Sequence, residues 1–413
     1  MREIRPLQDE DWDAYVRLAL NAYPGVRIRP QKFRQRAIQM HNDPIITIYG
    51  LFEDEEMWGA MRLYDFQMKL LSVKTLVGGV GGVAVDLRRK KEKVAFEMMQ
   101  FFLRHYRKKG ACLAALYPFR PNFYKQMGFG CGRKLHQYHI KTTSLPNGPS
   151  KANVSFLTVR DKQALDACYN RVLANANGMM ENFPSLLDSI FSSDTLKVVG
   201  CWQEDELRGY ILFQFQAADS ANFLHNHILV RTLLYETTEA LTELLTFLGS
   251  QADQCEKVIL NTFEEDFHLL LSEPRNGNGL LAPTVFQETN VQGLGIMYRV
   301  IGVPRLFETL GQHNFGGQTV RVQLNLTDSF LPENEGVWVL DVRDGRVQLQ
   351  SVTAPYDVAL RLDVAEFSSL VIGAADFKTL HRYGLAKLSD TAYAQTLHRL
   401  FHTENKPICL TPF

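Results

Sequence analysis

Three stretches of this sequence carry residue types that chemistry requires. The first, Gly79-Val-Gly-Gly-Val-Ala84, has the small residues of a dinucleotide fingerprint. That fingerprint works only between a strand and a helix, where the helix N-terminus meets a pyrophosphate. Here Val83-Ala-Val85 continues as a β-branched strand, so the fingerprint reading loses its context. The second stretch, Asp86-Leu-Arg-Arg-Lys-Lys-Glu-Lys93, is the true strand-to-helix turn. Its uncapped backbone N–H groups and its cations suit a pyrophosphate. A solvated basic loop explains the same charges equally well, with nucleic-acid contact a distant third. The third stretch type is paired histidine, His225/His227 at strand spacing and His398/His402 at helical spacing. Neither pair brings a recognisable third ligand, and His-Arg-Leu-Phe-His lacks the glutamate of a metalloprotease helix, so no metal is expected. The sequence has no GxSxG elbow and no GxxxxGK loop, which takes support from hydrolase and P-loop readings.

The elements that must position these groups are legible from spacing. Lys74 to Asp86 reads as a buried strand with glycine-relaxed backbone. Val94, Ala95, Met98, Met99, Phe102, Leu103 and Tyr106 then recur at spacings of three and four, the period of an amphipathic helix. Lys108, Lys109 and Gly110 close it with cations at the negative end of its dipole and a glycine suited to a left-handed cap. Ala111 to Tyr117 is a second short buried strand, stopped by Pro118. The unit is β-loop-α-β, which predicts a strand at 81–86 and a helix at 94–107 bracketing a groove.

At 413 residues the chain has room for about three domains. Apolar residues make up 46% and charged residues 22%, enough for sizeable cores and unlike a disordered composition. Lys+Arg and Asp+Glu both number 45, so no global field draws the chain to nucleic acid or to an acidic membrane. The charged start, MREIRPLQDEDWD, and the lack of a long apolar run predict a cytoplasmic protein without a membrane segment. Six scattered cysteines without a CxxC pair read as reduced thiols. The turn formers Ser144-Leu-Pro-Asn-Gly-Pro-Ser150 predict a boundary near 146. A second cluster, Glu273-Pro-Arg-Asn-Gly-Asn-Gly279, is either a boundary or a hairpin.

The basic turn and amphipathic helix, followed by Asn122-Phe-Tyr-Lys-Gln-Met-Gly-Phe-Gly130, resemble the GNAT acetyltransferase superfamily, and within it the Eis-like branch. Gly81-Gly-Val-Ala-Val85 to Ala95 is similar to that family's acetyl-CoA segment. Phe123-Tyr124-Lys-Gln-Met127-Gly-Phe-Gly130 is similar to its catalytic segment and is the more specific match. Met297-Tyr-Arg-Val-Ile-Gly-Val303 resembles the family's entry into a third domain, and Asp376-Phe-Lys-Thr-Leu-His-Arg-Tyr-Gly-Leu-Ala386 its late helical segment. The resemblance implies an α/β (α+β) fold of tandem GNAT-like domains followed by a sterol carrier protein-like domain. The expected divisions are 1–146 for the catalytic domain, 147–290 for a second GNAT-like domain without a cofactor site, and 291–413 for the third.

The resemblance also implies acetyl transfer from acetyl-CoA to a small-molecule or peptide primary amine, no metal, and a homo-oligomer (hexamer or trimer). Val83, Ala84, Val85, Lys90, Lys91, Lys93, Val94 and Ala95 would bind the cofactor. Tyr124 would be the general acid and the terminal carboxylate of Phe413 the base. A phenol near 10 can reprotonate a thiolate near 8.5 at a cost of only about 2 kcal/mol. An ammonium near 10.4 yields its proton to a carboxylate only if burial or water helps, so the terminus must lie beside the first domain. An ordinary core tyrosine and a frayed tail are the bland counterparts. Three departures stand out: Lys93 replaces a turn glycine, which either weakens the site and reduces activity or, with four neighbouring cations compensating, leaves acetyl-CoA bound with a steeper salt dependence, the outcome expected here; Leu87 replaces a proline; Pro24-Gly25 and Pro412 stand where some members place acids. The alternative is a degenerate GNAT protein that binds CoA or an apolar ligand as a scaffold.

Overall fold

The computed structural model describes residues 2–219, 222–282 and 284–413. Strands β1 (Arg2–Pro6), β2 (Ile46–Glu53), β3 (Glu56–Leu70), β4 (Val73–Val85), β5 (Leu113–Leu116) and β6 (Gly130–Cys131) come first. With them are helices α1 (Trp12–Ala22), α2 (Pro30–His41), α3 (Val94–Lys108) and α4 (Pro121–Lys125). Next come β7 (Lys134–Lys141), β8 (Val154–Phe156), β9 (Lys197–Gln203), β10 (Glu206–Ala217), β11 (Asn226–Tyr235), β12 (Cys255–Thr262) and β13 (Val291–Leu294), with α5 (Lys162–Asn175), α6 (Pro184–Phe191) and α7 (Thr238–Gly249). The last part holds β14 (Met297–Val300), β15 (Val320–Thr327), β16 (Gly336–Arg343), β17 (Arg346–Gln350), β18 (Val358–Asp363) and β19 (Ala386–Leu388). Its helices are α8 (Val303–Thr309), α9 (Val364–Val371), α10 (Phe377–Arg382) and α11 (Ala394–Phe401).

Three mixed sheets result, ordered β1-β2-β3-β4-β5-β14-β6, β13-β7-β12-β11-β10-β9-β8 and β17-β16-β15-β18-β19. The first and third sheets lie in one compact unit, made of residues up to Arg133, Ala176–Phe183 and Gly295–Phe413; the second sheet forms the other unit. Against the expected divisions at 146 and 290, β7 pairs in the second sheet and β14 in the first. The turn formers at 144–150 mark where the chain changes direction, after β7, and not where sheet membership changes. The Asn-Gly cluster is a loop inside the second unit, tied to β7 by the Asn276 side chain, which accepts a hydrogen bond from the His139 N–H at 2.7 Å.

The expected helix at 94–107 is α3, and it buries Met98, Met99, Phe102, Leu103 and Tyr106 against Met61, Leu63, Val80 and Leu116 on one face of the first sheet. The other face packs Trp12, Tyr15 and Val16 of α1 on Phe52, Ala60 and Ala84. Residue alternation on β3 produces this division, since Met61 and Leu63 point one way and Ala60 and Arg62 the other. The strand at 81–86 is the far end of β4.

Met297–Val300 enters between β5 and β6, antiparallel to both. The four strand residues and Ile301 are buried, Arg299 completely. Its Nη2 donates to both oxygens of Asp328, at 2.7 and 2.8 Å, and that carboxylate also accepts from Asn334 Nδ2 at 3.0 Å and Leu331 N at 2.9 Å. Removing one partner of such a pair strands a charge in the interior, which costs about 3–5 kcal/mol, whereas replacing both with apolar groups costs far less. Asp328→Ala should therefore lower the urea midpoint steeply, and Arg299→Met/Asp328→Ala should recover much of the loss. Equal midpoints for the single and double variants would show that the pair does not hold β14 in place.

Candidate active site

The site is built where β4 parts from β5. The parallel ladder spans only Val77–Val80 against Leu113–Leu116, and β4 runs on to Val85 paired with β3 alone. Within that free end the register shifts: Ala60 faces Ala84 and Arg62 faces Gly81, so Gly82 and Val83 share one partner. This is a β-bulge, with Gly82 at φ +57°, a torsion glycine takes without strain. Val83 and Val85 are half-buried, while Ala84 is buried among the α1 contacts, so Ala84 offers the groove its backbone and not its side chain. The Val83 carbonyl accepts a hydrogen bond from the Tyr23 hydroxyl at 2.7 Å.

The turn into α3 delivers fewer free cations than its sequence suggests. Arg88 Nη2 pairs with Glu56 at 2.6 Å and Asp86 at 2.8 Å, and these hydrogen bonds hold both carboxyls below their usual range. Arg89 Nη2 lies 3.2 Å from Glu56, with its guanidinium 4.0 Å above the Trp58 ring. Lys90, Lys91 and Lys93 are exposed and, among the described residues, have no ion-pair partner. Lys91 and Lys93 are left-handed, at φ 71° and 63°. That torsion costs a non-glycine residue roughly 1–2 kcal/mol, so the backbone keeps the geometry that a glycine would supply at Lys93. Lys93 is the N-cap of α3, which no side chain caps, so the first N–H groups of the helix, on buried Val94 and half-buried Ala95, remain available. This end of the groove fits a pyrophosphate.

Tyr124 lies on α4, in a turn closed by hydrogen bonds from Met127 N and Phe129 N to its carbonyl at 3.0 and 3.1 Å. It is 3% exposed, with the Phe123, Phe119 and Phe129 ring centroids 5.2, 5.8 and 6.1 Å away. Among the described residues its hydroxyl makes no hydrogen bond. Burial first, and then the nearby Tyr23 phenol, push the Tyr124 phenol above its usual range. Since Tyr23 is also bonded to Val83, one residue links Tyr124 to the bulge. The two motif glycines have packing reasons: a Cβ on Gly128 (φ +77°) would lie 1.6 Å from Arg299 Nη1, and one on Gly130 2.0 Å from the Ala365 carbonyl.

The chain terminus reaches the same strand. The Phe413 ring packs on Phe66 at 4.8 Å, Tyr117 at 5.1 Å and Tyr64 at 5.5 Å between centroids. Its carboxyl carbon lies 3.0 Å from where a Cβ on Gly81 would stand, so only glycine admits it. The tail is anchored: Tyr117 Oη donates toward the Cys409 and Thr411 carbonyls at 3.4 and 3.3 Å, and Ile408 N donates to the Asn177 carbonyl at 2.8 Å. Asn177 in turn donates through Nδ2 to the Ile372 and Asn405 carbonyls, at 2.8 and 3.1 Å. The structure thus brings Val83, Val85, Tyr124 and Phe413 around one end of β4, with Lys93, Val94 and Ala95 at the turn.

Tyr23, Arg62, Tyr64 and Asn177 belong to this constellation and carry no sequence signal; only strand alternation from Phe66 to Tyr64 and Arg62 would have pointed to a shared face. In the second unit the matching strand-to-helix turn is only Glu236-Thr237. Thr237 Oγ1 caps α7 by accepting from Ala240 N at 3.1 Å, and the Glu236 carboxylate is held by Arg171 at 2.7 Å. That turn is already satisfied and puts a negative charge where a phosphate would sit. His398 and His402 do gain a third neighbour, Asp376, with ligand atoms within 4.8 Å of one another. Asp376 Oδ2 lies 3.0 Å from His398 Nδ1, which joins α11 to the N-cap of α10. All six cysteines are free. Among the described residues no helix is long and apolar enough to cross a membrane.

Comparison with known families matches residues 3–132 and residues 186–300 to two GNAT acetyltransferase domain families, and residues 303–410 to a sterol carrier protein domain. No curated protein matches by sequence. Among solved structures, a GCN5-related N-acetyltransferase from Anabaena variabilis is similar over 100% of both chains, with TM-score 0.83 and 14% identity. A probable N-acyltransferase of unknown function from Enterococcus faecalis is similar over 100% of both chains, with TM-score 0.81 and 18% identity. Eis1 from Mycobacterium abscessus is similar over 100% of both chains, with TM-score 0.78 and 18% identity. At these identities the likeness is one of fold, and GNAT domains use acetyl-CoA as co-substrate. The chain thus carries two GNAT acetyltransferase domains followed by a C-terminal sterol carrier protein domain, and it is Eis-like in architecture.

Proposed function

We propose that this protein is an acetyl-CoA-dependent N-acetyltransferase that acts on a primary amine in the first domain. What supports this reading is that the chain's terminal carboxyl lies against Gly81 at the splayed, bulged end of β4, while the buried Tyr124 belongs to the core cluster on which Val83 and Val85 of the same strand end pack. The bulge leaves backbone N–H groups near Val83 free to polarise a thioester carbonyl, as an oxyanion donor does. The free α3 N-terminus, with Lys90, Lys91 and Lys93, holds the pyrophosphate. The Phe413 carboxylate takes a proton from the acceptor ammonium, directly or through water. The neutral nitrogen then forms a C–N bond to the acyl carbon as the C–S bond breaks; Tyr124 delivers its proton to the departing thiolate, and its phenolate is reprotonated, directly or through water, by the proton that the acylated nitrogen sheds to become the amide. Burial raises the phenol, and a thiolate leaving into the same buried surroundings is raised with it, so the transfer need not become steeper.

The second GNAT fold has no open pyrophosphate turn and serves as structure. The scaffold alternative gains little from the third domain. Its cleft of about 520 Å³ mixes Leu326, Val337, Leu362 and Leu385 with the charged Glu335, Arg361, Asp363 and Lys387, so an apolar ligand would meet charge on part of its wall. Assembly into a homo-oligomer remains part of the proposal by family resemblance.

Tyr124→Phe should lower kcat by about 10- to 10⁴-fold while leaving acetyl-CoA affinity nearly unchanged. Because the phenol sits above its ordinary value near 10, wild-type turnover should show no alkaline loss from this group below about pH 10. Equal kcat for the two proteins from pH 6 to 9 would remove Tyr124 from the mechanism. Phe413→Ala retains a terminal carboxylate and should keep part of the activity, whereas a C-terminal extension carries that carboxylate away and should abolish most of it. A fully active extended protein would contradict the proposed base. At the turn, Lys93→Gly should relieve left-handed strain and make acetyl-CoA binding less salt-dependent than in the wild type, since exposed ion pairs are screened within about 8 Å at physiological ionic strength. Calorimetric titration at two salt concentrations reads both; binding restored only in the glycine variant would mean a decayed site.

A further inference from the structure

Arg62 is a cation without an ion-pair partner among the described residues, a buried acid, Asp43, acting on the neighbouring Tyr64 phenol. It is the β3 register partner of Gly81. Arg62, Tyr64 and Phe66 alternate along β3 and so share one face. Phe413 packs on the second and third of these rings, which makes the guanidinium the next side chain in the row beneath the terminal residue. A Cβ on bulge residue Gly82 would lie 2.7 Å from Arg62 Nε. That Nε is buried and has no hydrogen-bond partner, and neither has the buried Tyr64 hydroxyl. Nη1 reaches only Met40 Sδ, a weak acceptor, at 3.4 Å. Among the described residues no carboxylate, the chain terminus included, pairs with Arg62; its electrostatic neighbours are Tyr64, Tyr15 and Tyr23. A guanidinium does not give up its proton in proteins, so this one awaits an anion.

A second observation has the same sign. From Ala14 to Asn42 the chain has no acidic residue, and Arg27, Arg29, Lys32, Arg34 and Arg36 follow Tyr23 within it. All five are exposed, and among the described residues only Arg34 has an ion-pair partner, Asp13 at 3.4 Å. Tyr23 is bonded to Val83, so this cationic segment begins beside the bulge. Its field draws anions toward that point and repels polycations.

We propose that the acceptor is a small primary amine bearing an anionic oxygen group, a carboxylate or a phosphate, which pairs with Arg62 and the Tyr64 hydroxyl while its nitrogen faces Phe413. This rests on the acetyltransferase reading and narrows its substrate class. The test compares four amines of one chain length with the full-length protein and acetyl-CoA: β-alanine, aminopropyl phosphonate, aminopropanol and diaminopropane. One anionic homologue should exceed aminopropanol in kcat/KM by about tenfold to a hundredfold, and diaminopropane should be poorest. Which anion leads separates carboxylate from phosphate. Arg62→Met should erase the preference through KM, and Arg62→Lys should restore part of it. Preference for the neutral or cationic homologue, or a preference unchanged by Arg62→Met, overturns the proposal and leaves the acetyltransferase reading standing. Calorimetry on the CoA complex separates the two claims: an anionic amine that binds wild type but not Arg62→Met, without being acetylated, upholds the anion site and removes the enzyme. Neither binding nor turnover of an anionic homologue overturns the anion site.

Discussion

The insertion of Met297–Val300 between β5 and β6 is the constraint on which the rest of this molecule depends. A strand buried on both sides must satisfy its backbone and fill its faces, and β14 does so with Met297, Tyr298 and Val300, all at most 1% exposed. It also carries a fully buried arginine, Arg299, whose bidentate pair with Asp328 is worth keeping only if both partners stay. The first sheet is therefore incomplete until the chain has returned from the second unit, and the C-terminal domain begins from a strand of the first.

That return places both ends of the candidate chemistry. Gly128 and Gly130 look like parts of a catalytic motif, yet their side-chain-free positions are demanded by Arg299 Nη1 and by the Ala365 carbonyl of α9. The turn that aims Tyr124 is thus held from the C-terminal domain. The same domain ends in the tail that Asn177 and Tyr117 anchor, bringing Phe413 to Gly81. The Tyr124 turn and the Phe413 tail are thus both tied to the part of the chain that follows the inserted strand.

Much of this was legible in the sequence where local patterning and chemistry agree. The Val94 to Tyr106 periodicity produced α3, and the break at Lys93 located its N-terminus. Exchange of β7 and β14 between sheets was invisible because a strand's partner is a matter of distant register, and turn formers report only changes in direction. The hairpin turns Asp54-Glu55 and Glu204-Asp205 take left-handed torsions at both positions without the Asn-Gly signature that would have announced them. Arg62 reads in sequence as one more surface cation on a strand, and only its lack of a partner in three dimensions makes it informative.

Charge follows the same logic. The formal net charge is zero, and by count the cations of 88–93 look like the strongest local field. Folding cancels part of it: Glu56 and Asp86 engage Arg88 and Arg89, leaving exposed lysines, a residue type that meets anions by charge and not by planar pairing. The opposite happens on the face of β3 and β4 that α1 covers. There the acid-free segment from 14 to 42 and the unpaired Arg62 leave more positive field than the composition suggests. One strand, β4, therefore runs between two cationic regions of different character. At the α3 end, exposed lysine charges suit a phosphate that is held reversibly. At the bulge, a half-buried guanidinium with an enclosed, unpartnered Nε beside tyrosine rings can discriminate, because an unmatched neutral or cationic guest leaves that charge uncompensated.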